Sequence, residues 1–215
     1  MKGVFITFEG CDGSGKTTQI SLLERYLRDM GCNVLVTREP GGDTVAENIR
    51  SVLLASESQV SPRTELLLFL GARAQVVDFV IRPALERGNI VLCDRFADST
   101  VTYQGYAREQ DLDWVRRLNA YATNGLTPDK TLLFDIDPVE GLSRQTDRNR
   151  MESETLDFHQ RVRKGYLAES RLFPERFHVI DASANVQLVH QSVLEALKDV
   201  IKPENWKTGN CAIHP

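Results

Sequence analysis

The sequence predicts an α/β fold, a five-stranded parallel sheet flanked by helices with a small lid. Three observations carry that reading. Short β-branched and aromatic runs alternate with longer stretches of helical periodicity, the pattern of parallel strands joined by right-handed crossovers. The first run leads straight into a glycine loop that opens a helix. The apolar run Ile90–Cys93 ends in Asp94 and Arg95, and in open parallel sheets ligands sit beyond the carboxyl ends of strands.

Val4 to Phe8 reads as a buried strand. Gly10 to Thr17 then fits G-x-x-x-x-G-K-[ST], the pattern of a phosphate-binding loop. Its glycines let the backbone curl so that N–H groups point inward at a phosphate. The helix opening at Lys16 and Thr17 adds its positive dipole end. Lys16 can reach the outer phosphates and the Thr17 hydroxyl can hold magnesium, with Asp94 as the nearby acid. Gly10, Cys11, Asp12, Gly13, Ser14, Gly15, Lys16, Thr17 and Thr18 are therefore the candidate ATP-binding stretch, and Thr17 and Asp94 the candidate metal ligands.

Thr18 to Met30 continues as a helix that stops at Gly31, and Asn33 to Thr37 is a second strand. Arg38-Glu39-Pro40-Gly41-Gly42 must be a loop. Thr44 to Leu54 is a helix, with Thr44 as its cap and Glu47 completing a capping box, and Ala55 to Ser61 is a polar loop. Arg63 to Arg82 is the longest helical stretch, ending where Pro83 restricts Arg82, with one further turn before Gly88. Its stripe Leu67, Leu70, Ala74, Val77 and Ile81 faces a core, while Phe69 and Arg73 share a neighbouring face. After the third strand, Phe96 to Arg108 starts helical and finishes as a loop at Gly105. Asp111 to Ala122 is a helix, Thr131 to Ile136 a strand, and Pro138 opens the next helix. Arg144 to Arg150 breaks the apolar periodicity and carries Arg144, Arg148 and Arg150, as a basic loop closing over a nucleotide would. Leu156 to Leu172 is helical, Phe177 to Asp181 a fifth strand, and Val186 to Val200 a last helix.

Lys plus Arg is 26 and Asp plus Glu 30, a net charge of −4, which disfavours a protein that coats nucleic-acid backbones. No apolar run reaches the length of a membrane span, so no membrane partner is expected. The four cysteines, Cys11, Cys32, Cys93 and Cys211, show no metal spacing, and a reducing cytoplasm is the expected location. Cys93 reads as buried, and Cys11 as an oxidation-prone thiol if exposed on its loop. The four histidines do not cluster and read as structural or solvated.

Taken together the motifs resemble the bacterial thymidylate kinases with a basic lid, over nearly the whole chain. The match rests on Phe8-Glu9-Gly10-x-Asp12-Gly13-x-Gly15-Lys16-Thr17-Thr18, Arg38-Glu39-Pro40-Gly41-Gly42 and Phe69-x-x-x-Arg73. It rests further on Asp94-Arg95-Phe96-x-x-Ser99-Thr100-x-x-Tyr103-Gln104-Gly105-Tyr106 and Asn149-Arg150-x-Glu152. The resemblance implies a nucleoside monophosphate kinase-like P-loop domain over 1–201, a lid at about 144–154, and a C-terminal tail at 202–215. It also implies transfer of the γ-phosphoryl of ATP to dTMP with Mg²⁺, in a homodimer. Phe69 would lie against thymine, Arg73 on its O4, and Thr100 and Gln104 on the far edge of the base, with Tyr103 also in the substrate site. Arg38, Arg50 and Arg95 would lie near the dTMP phosphate and Asp12 near the sugar 3′-hydroxyl. Gly13 stands where some relatives carry a loop arginine. Arg148 or Arg150 would then supply the cation from the lid and act with Lys16 and Arg95 in catalysis, and Arg144 would contact ATP.

Phosphoryl transfer needs two anionic groups aligned and neutralised more than it needs covalent help, which suits this set of cations. A kinase for another small acceptor remains an alternative. A GTP-dependent switch is disfavoured because the chain has no N-K-x-D motif, and an ATPase of a nucleic-acid machine by the acidic balance.

Overall fold

The computed structural model describes residues 3–55, 59–145 and 149–201. Strands β1 (Val4–Gly10), β2 (Val34–Arg38), β3 (Ile90–Asp94), β4 (Lys130–Asp135) and β5 (Phe177–Asp181) form one wholly parallel sheet in the order β2-β3-β1-β4-β5. The strand pattern decides which face each residue serves. Ile6 and Phe8 point to a core shared with α1 (Lys16–Asp29), α8 (Leu156–Leu172) and α9 (Val186–Leu197). Phe5 points the other way, with Val91 and Cys93, onto α3 (Pro62–Val76). Thr7 and Glu9 share that second face and are fully buried although polar. The remaining helices are α2 (Thr44–Leu54), α4 (Arg82–Glu86), α5 (Ala97–Thr100), α6 (Leu112–Ala122) and α7 (Pro138–Ser143). Among the described residues no helix is long and apolar enough to cross a membrane.

Several local expectations are corrected. The cap of α2 is Asp43, whose Oδ1 accepts from Val45 N at 2.8 Å; Glu47 instead accepts from Gly42 N at 2.9 Å. The long helix does not stop before Pro83. A π-helical turn at Val77–Ile81 widens it, and α4 follows directly with Pro83, the wider turn accommodating a residue that has no N–H to donate. Leu67 is 61% exposed and Leu66 takes its place in the core. Gly105 does not end a helix either: a second π-helical turn runs from Val101 to Ala107. The last helix ends at Leu197, three residues short of expectation.

The second π turn lines the site: it brings Tyr103 and Gln104 to the same pocket wall as Thr100, the residue just before it. Adding a residue to a turn shifts which side chains share a face, and such turns recur at functional sites.

Candidate active site

β1 ends at the sheet's carboxyl edge and hands the chain to the glycine loop. Gly15 takes φ 84° immediately before α1, a left-handed conformation that a side chain would strain. Gly13, at φ 75°, packs backbone to backbone on α7: a Cβ there would lie 1.9 Å from Gly141 O. This loop therefore has no room for a side chain at position 13. Lys16 is buried and its Nζ donates to Gly10 O at 3.2 Å and Cys11 O at 3.0 Å. Burial, and Arg95 nearby, hold its pKa below the usual lysine value against the pull of Asp94 and Asp12.

Residues 12–19 line a cleft of about 570 Å³, whose other walls include Asp94, Arg95 and Arg144. Thr17 Oγ1 donates to Asp94 Oδ2 at 3.3 Å. Asp94 Oδ1 is buried and finds no hydrogen-bond partner among the described residues. A hydroxyl and an unpartnered carboxylate oxygen are the hard donors that magnesium prefers, so these residues fit that ion. Among the described residues no group of three or more His, Cys, Asp or Glu could form a protein-only metal site.

A second, smaller pocket of about 110 Å³ is lined by Phe69, Arg73, Thr100, Tyr103 and Gln104. Asp12, Glu39, Arg50, Arg95 and Glu152 line both cavities, so the two meet at two arginines and three carboxylates. Arg95 leaves β3 at φ 68° and donates from Nη1 to Gly10 O at 3.1 Å. Its Nη2 pairs with Asp12 Oδ1, while Tyr103 Oη donates to Asp12 Oδ2 at 3.0 Å. Burial alone would raise the Asp12 pKa, but Arg95 and Lys16 hold it below the usual carboxylate range.

Behind Arg95 lies a buried polar network that the sequence did not reveal. Glu9 Oε1 accepts from Phe96 N at 2.7 Å, and Oε2 accepts from Ser99 Oγ at 2.6 Å and Tyr166 Oη at 2.8 Å. Tyr166 Oη also receives Arg95 Nη1 at 3.3 Å. Burial, with Asp98 adding to it, pushes Glu9 up to about 7 against the hydrogen bonds and Arg95.

The other expected residues divide clearly. Arg50 lies where the pockets join, with Nη1 on Pro40 O at 2.8 Å. Arg144 spans the cleft's far rim, reaching Gly13 O at 3.3 Å and Ala182 O at 3.4 Å. Arg38 lines the larger cleft, half exposed and paired with Glu47 at 3.0 Å, and does not line the smaller pocket. Arg73 lines the smaller pocket with all three guanidinium nitrogens engaged: Glu39, Thr100, Asn119 and Phe96 O receive them. Arg150 lines neither cavity. Its Nε donates to Leu53 O at 2.8 Å and its Nη2 lies 2.7 Å from Glu65 Oε2. Arg148 and the tail lie outside the described residues. Cys11 is buried, and burial pushes its thiol up to about 12, so the oxidation-prone exposed thiol is not found. Glu65, Asn119 and Tyr166 carried no sequence signal, since each reads as an ordinary helical residue.

Two cavities joined by clamped arginines, one on a phosphate loop and one sized for a flat ring, match a known family. The sequence model described as thymidylate kinase fits residues 8–193. The chain belongs to the thymidylate kinase family. The thymidylate kinase of Exiguobacterium sp. is 50% identical over 199 residues, covering 91% of this chain and 94% of that protein. The thymidylate kinase of Geobacter sp. is 52% identical over 207 residues, covering 91% and 92%. A crystal structure of thymidylate kinase from Ehrlichia chaffeensis superposes with a TM-score of 0.76 at 36% identity, covering 92% of this chain and 99% of that one. The parallel five-stranded sheet is thus the P-loop nucleoside monophosphate kinase-like fold of the thymidylate kinase family.

Proposed function

We propose that this chain transfers the γ-phosphoryl of ATP to dTMP, giving dTDP and ADP for dTTP synthesis. The observation that carries the reading is the junction of the two cavities at Asp12, Arg50 and Arg95. A donor on the phosphate loop and an acceptor in the smaller pocket would bring their phosphates together there. Anions meeting in one place need positive charge, and Lys16, Arg50 and Arg95 supply it.

In this mechanism Gly10 to Thr18 cradle the ATP phosphates and Arg144 braces the nucleotide from the far rim. Lys16 neutralises the outer phosphates. Thr17 and Asp94 would hold magnesium, which supplies further neutralisation of the triphosphate. Arg95, kept in place by Asp12 and Gly10 O, clamps the dTMP phosphate, with Arg50 beside it. Phe69 covers one face of the thymine ring, and Tyr103 and Asp12 flank its sugar. Arg38 is available to the acceptor phosphate by exchanging Glu47 for it. Position 13 has no room for an arginine and Arg150 is committed to Glu65 and Leu53, which leaves Arg148 as the lid cation of this proposal.

The chain is further proposed to act as a homodimer. Val45 and Val52 on α2, Leu67 on the neighbouring α3 and Phe79 on the π turn that follows it are large, apolar and exposed. A second copy covering this face would remove a patch that water disfavours. The tail at 202–215 is assigned no role, 1–201 is taken as the catalytic domain with its lid at about 144–154, and the cytoplasm is where its nucleotides are found.

ADP release from ATP and magnesium tests this reading. It should require dTMP and fall by orders of magnitude in Lys16→Ala with the fold retained. ATP turnover that ignores the acceptor would contradict it.

A further inference from the structure

Glu65 lies in the first turn of α3, where an acidic residue ordinarily faces water and the helix dipole. Here it is fully buried and faces three donor side chains from two other segments. Gln104 Nε2 donates to its Oε1 at 3.0 Å from the second π turn. Arg108 approaches both oxygens at 3.2 Å. Arg150 lies 2.7 Å from Oε2 and comes from the lid, and Arg108 reaches on to Glu154 in the same segment. Burial alone would raise the Glu65 pKa, but the hydrogen bonds from Arg108 and Gln104 hold it below the usual carboxylate range. It is an anion, and an anion only accepts hydrogen bonds.

That fixes which way the Gln104 amide faces. Turning it over would set Oε1 against the Glu65 carboxylate, acceptor against acceptor. With Nε2 held by Glu65, the group Gln104 offers to the smaller pocket is its carbonyl oxygen. Thr100 is less constrained. Its hydroxyl accepts from Arg73 Nη1 at 2.8 Å and keeps both its hydrogen and a second lone pair, so it can serve a keto or an amino group. The Gln104 oxygen matches the N3–H of a thymine ring. It opposes the unprotonated N3 of cytosine, acceptor against acceptor.

We propose that Glu65 is a positioning residue for base choice: by holding Nε2 of Gln104 and Arg150 of the lid on one carboxylate, it presents an acceptor to the pyrimidine N3–H and ties base reading to lid placement. The proposal rests on the kinase reading above. Selection against cytosine follows from the charge of a residue that touches neither nucleotide. Glu65→Gln keeps the shape but can donate as well as accept, so Gln104 becomes free to turn over.

The test compares kcat/KM for dTMP and dCMP in the full chain and in Glu65→Gln. A hydrogen-bond mismatch is worth about five- to one-hundred-and-fifty-fold, and the variant should narrow the dTMP-to-dCMP ratio by about fivefold or more. In a Gln104→Leu background the same substitution should leave the ratio unchanged within about twofold, because the group through which Glu65 acts is gone. A parallel loss for both nucleotides with the ratio kept would show that Glu65 only supports the fold, and would overturn the proposal. Failure of the unmodified chain to use dTMP would instead remove the kinase reading beneath it. Should the variant not fold, nitrogen-15 spectra of the unmodified protein decide. The Gln104 side-chain amide protons should be protected from exchange with and without dTMP; an amide exchanging like an exposed glutamine would overturn the proposal.

Discussion

Arg73 and Glu39 form an ion pair sealed inside the protein, Nε on Oε2 at 2.8 Å, with side chains 1% and 3% exposed. The same guanidinium holds Thr100, Asn119 and the Phe96 carbonyl, so one side chain joins α3, the loop after β2, α5 and α6. Arg73 thus braces the wall of the base pocket. Pairing directly with thymine O4 would require it to give up one of these partners.

Removing one member of a buried ion pair leaves a charge without compensation, at about 3–5 kcal/mol. Arg73→Ala should therefore lower the unfolding free energy by about that amount in urea titrations. Glu39→Met combined with Arg73→Met should recover much of it, since apolar replacements of a buried pair are often neutral. A loss below about 1 kcal/mol in Arg73→Ala would show that the brace is not structural.

Arg95→Ala should act on the acceptor. The clamp on dTMP is a charge-assisted contact worth about 1.5–3 kcal/mol, or roughly ten- to one-hundred-and-fifty-fold in kcat/KM for dTMP. KM for ATP should change little, because the phosphate loop and Lys16 remain. An unchanged kcat/KM for dTMP would reduce Arg95 to a strand-end charge.

Glu9 predicts a pH dependence of stability. Its folded pKa of about 7 lies above the ordinary 4.5, so its stabilisation is fully present below about pH 4.5 and lost as pH rises through 7. A gap of that size corresponds to about 3 kcal/mol. Glu9→Gln cannot titrate. The unfolding free energy of the unmodified chain minus that of the variant should fall by about that amount between roughly pH 5 and 8. A difference that stays flat, or rises, would show that Glu9 is ionised throughout this range.

How far the sequence could be read depended on whether a residue's fate was local. β5 and α8 begin and end where their apolar pattern does, and the phosphate loop is legible because strand, glycines and helix are consecutive. Leu67 falls on the apolar stripe in sequence but not in the core, because Glu65, Leu66 and Arg73 fill the inner face of α3, and a buried carboxylate and guanidinium do not register as core in an apolar stripe. Gly105 and Pro83 look like helix ends in sequence because each breaks an ideal α-helix; in the structure Gly105 lies within one π turn and Pro83 follows the other, and both are accommodated. Within the site, Lys16, Thr17, Asp94 and Arg95 were legible from spacing. Glu65, Glu9 and Tyr166 were not, because their partners lie 39 to 157 residues away.

Base choice is read most directly from kcat/KM for magnesium-dependent ADP release across dTMP, dUMP, dCMP, dGMP and AMP. Burying the 5-methyl of thymine is worth about 0.8 kcal/mol, so dUMP should follow dTMP by a modest factor. dCMP should fall further behind, by about five- to one-hundred-and-fifty-fold, because its unprotonated N3 opposes the Gln104 oxygen. Purine monophosphates should come last, because the smaller pocket, about 110 Å³ beside Phe69, suits a single ring. The expected order is dTMP, dUMP, dCMP and then the purines, and a preference for dCMP or for a purine nucleotide would overturn the thymidylate reading.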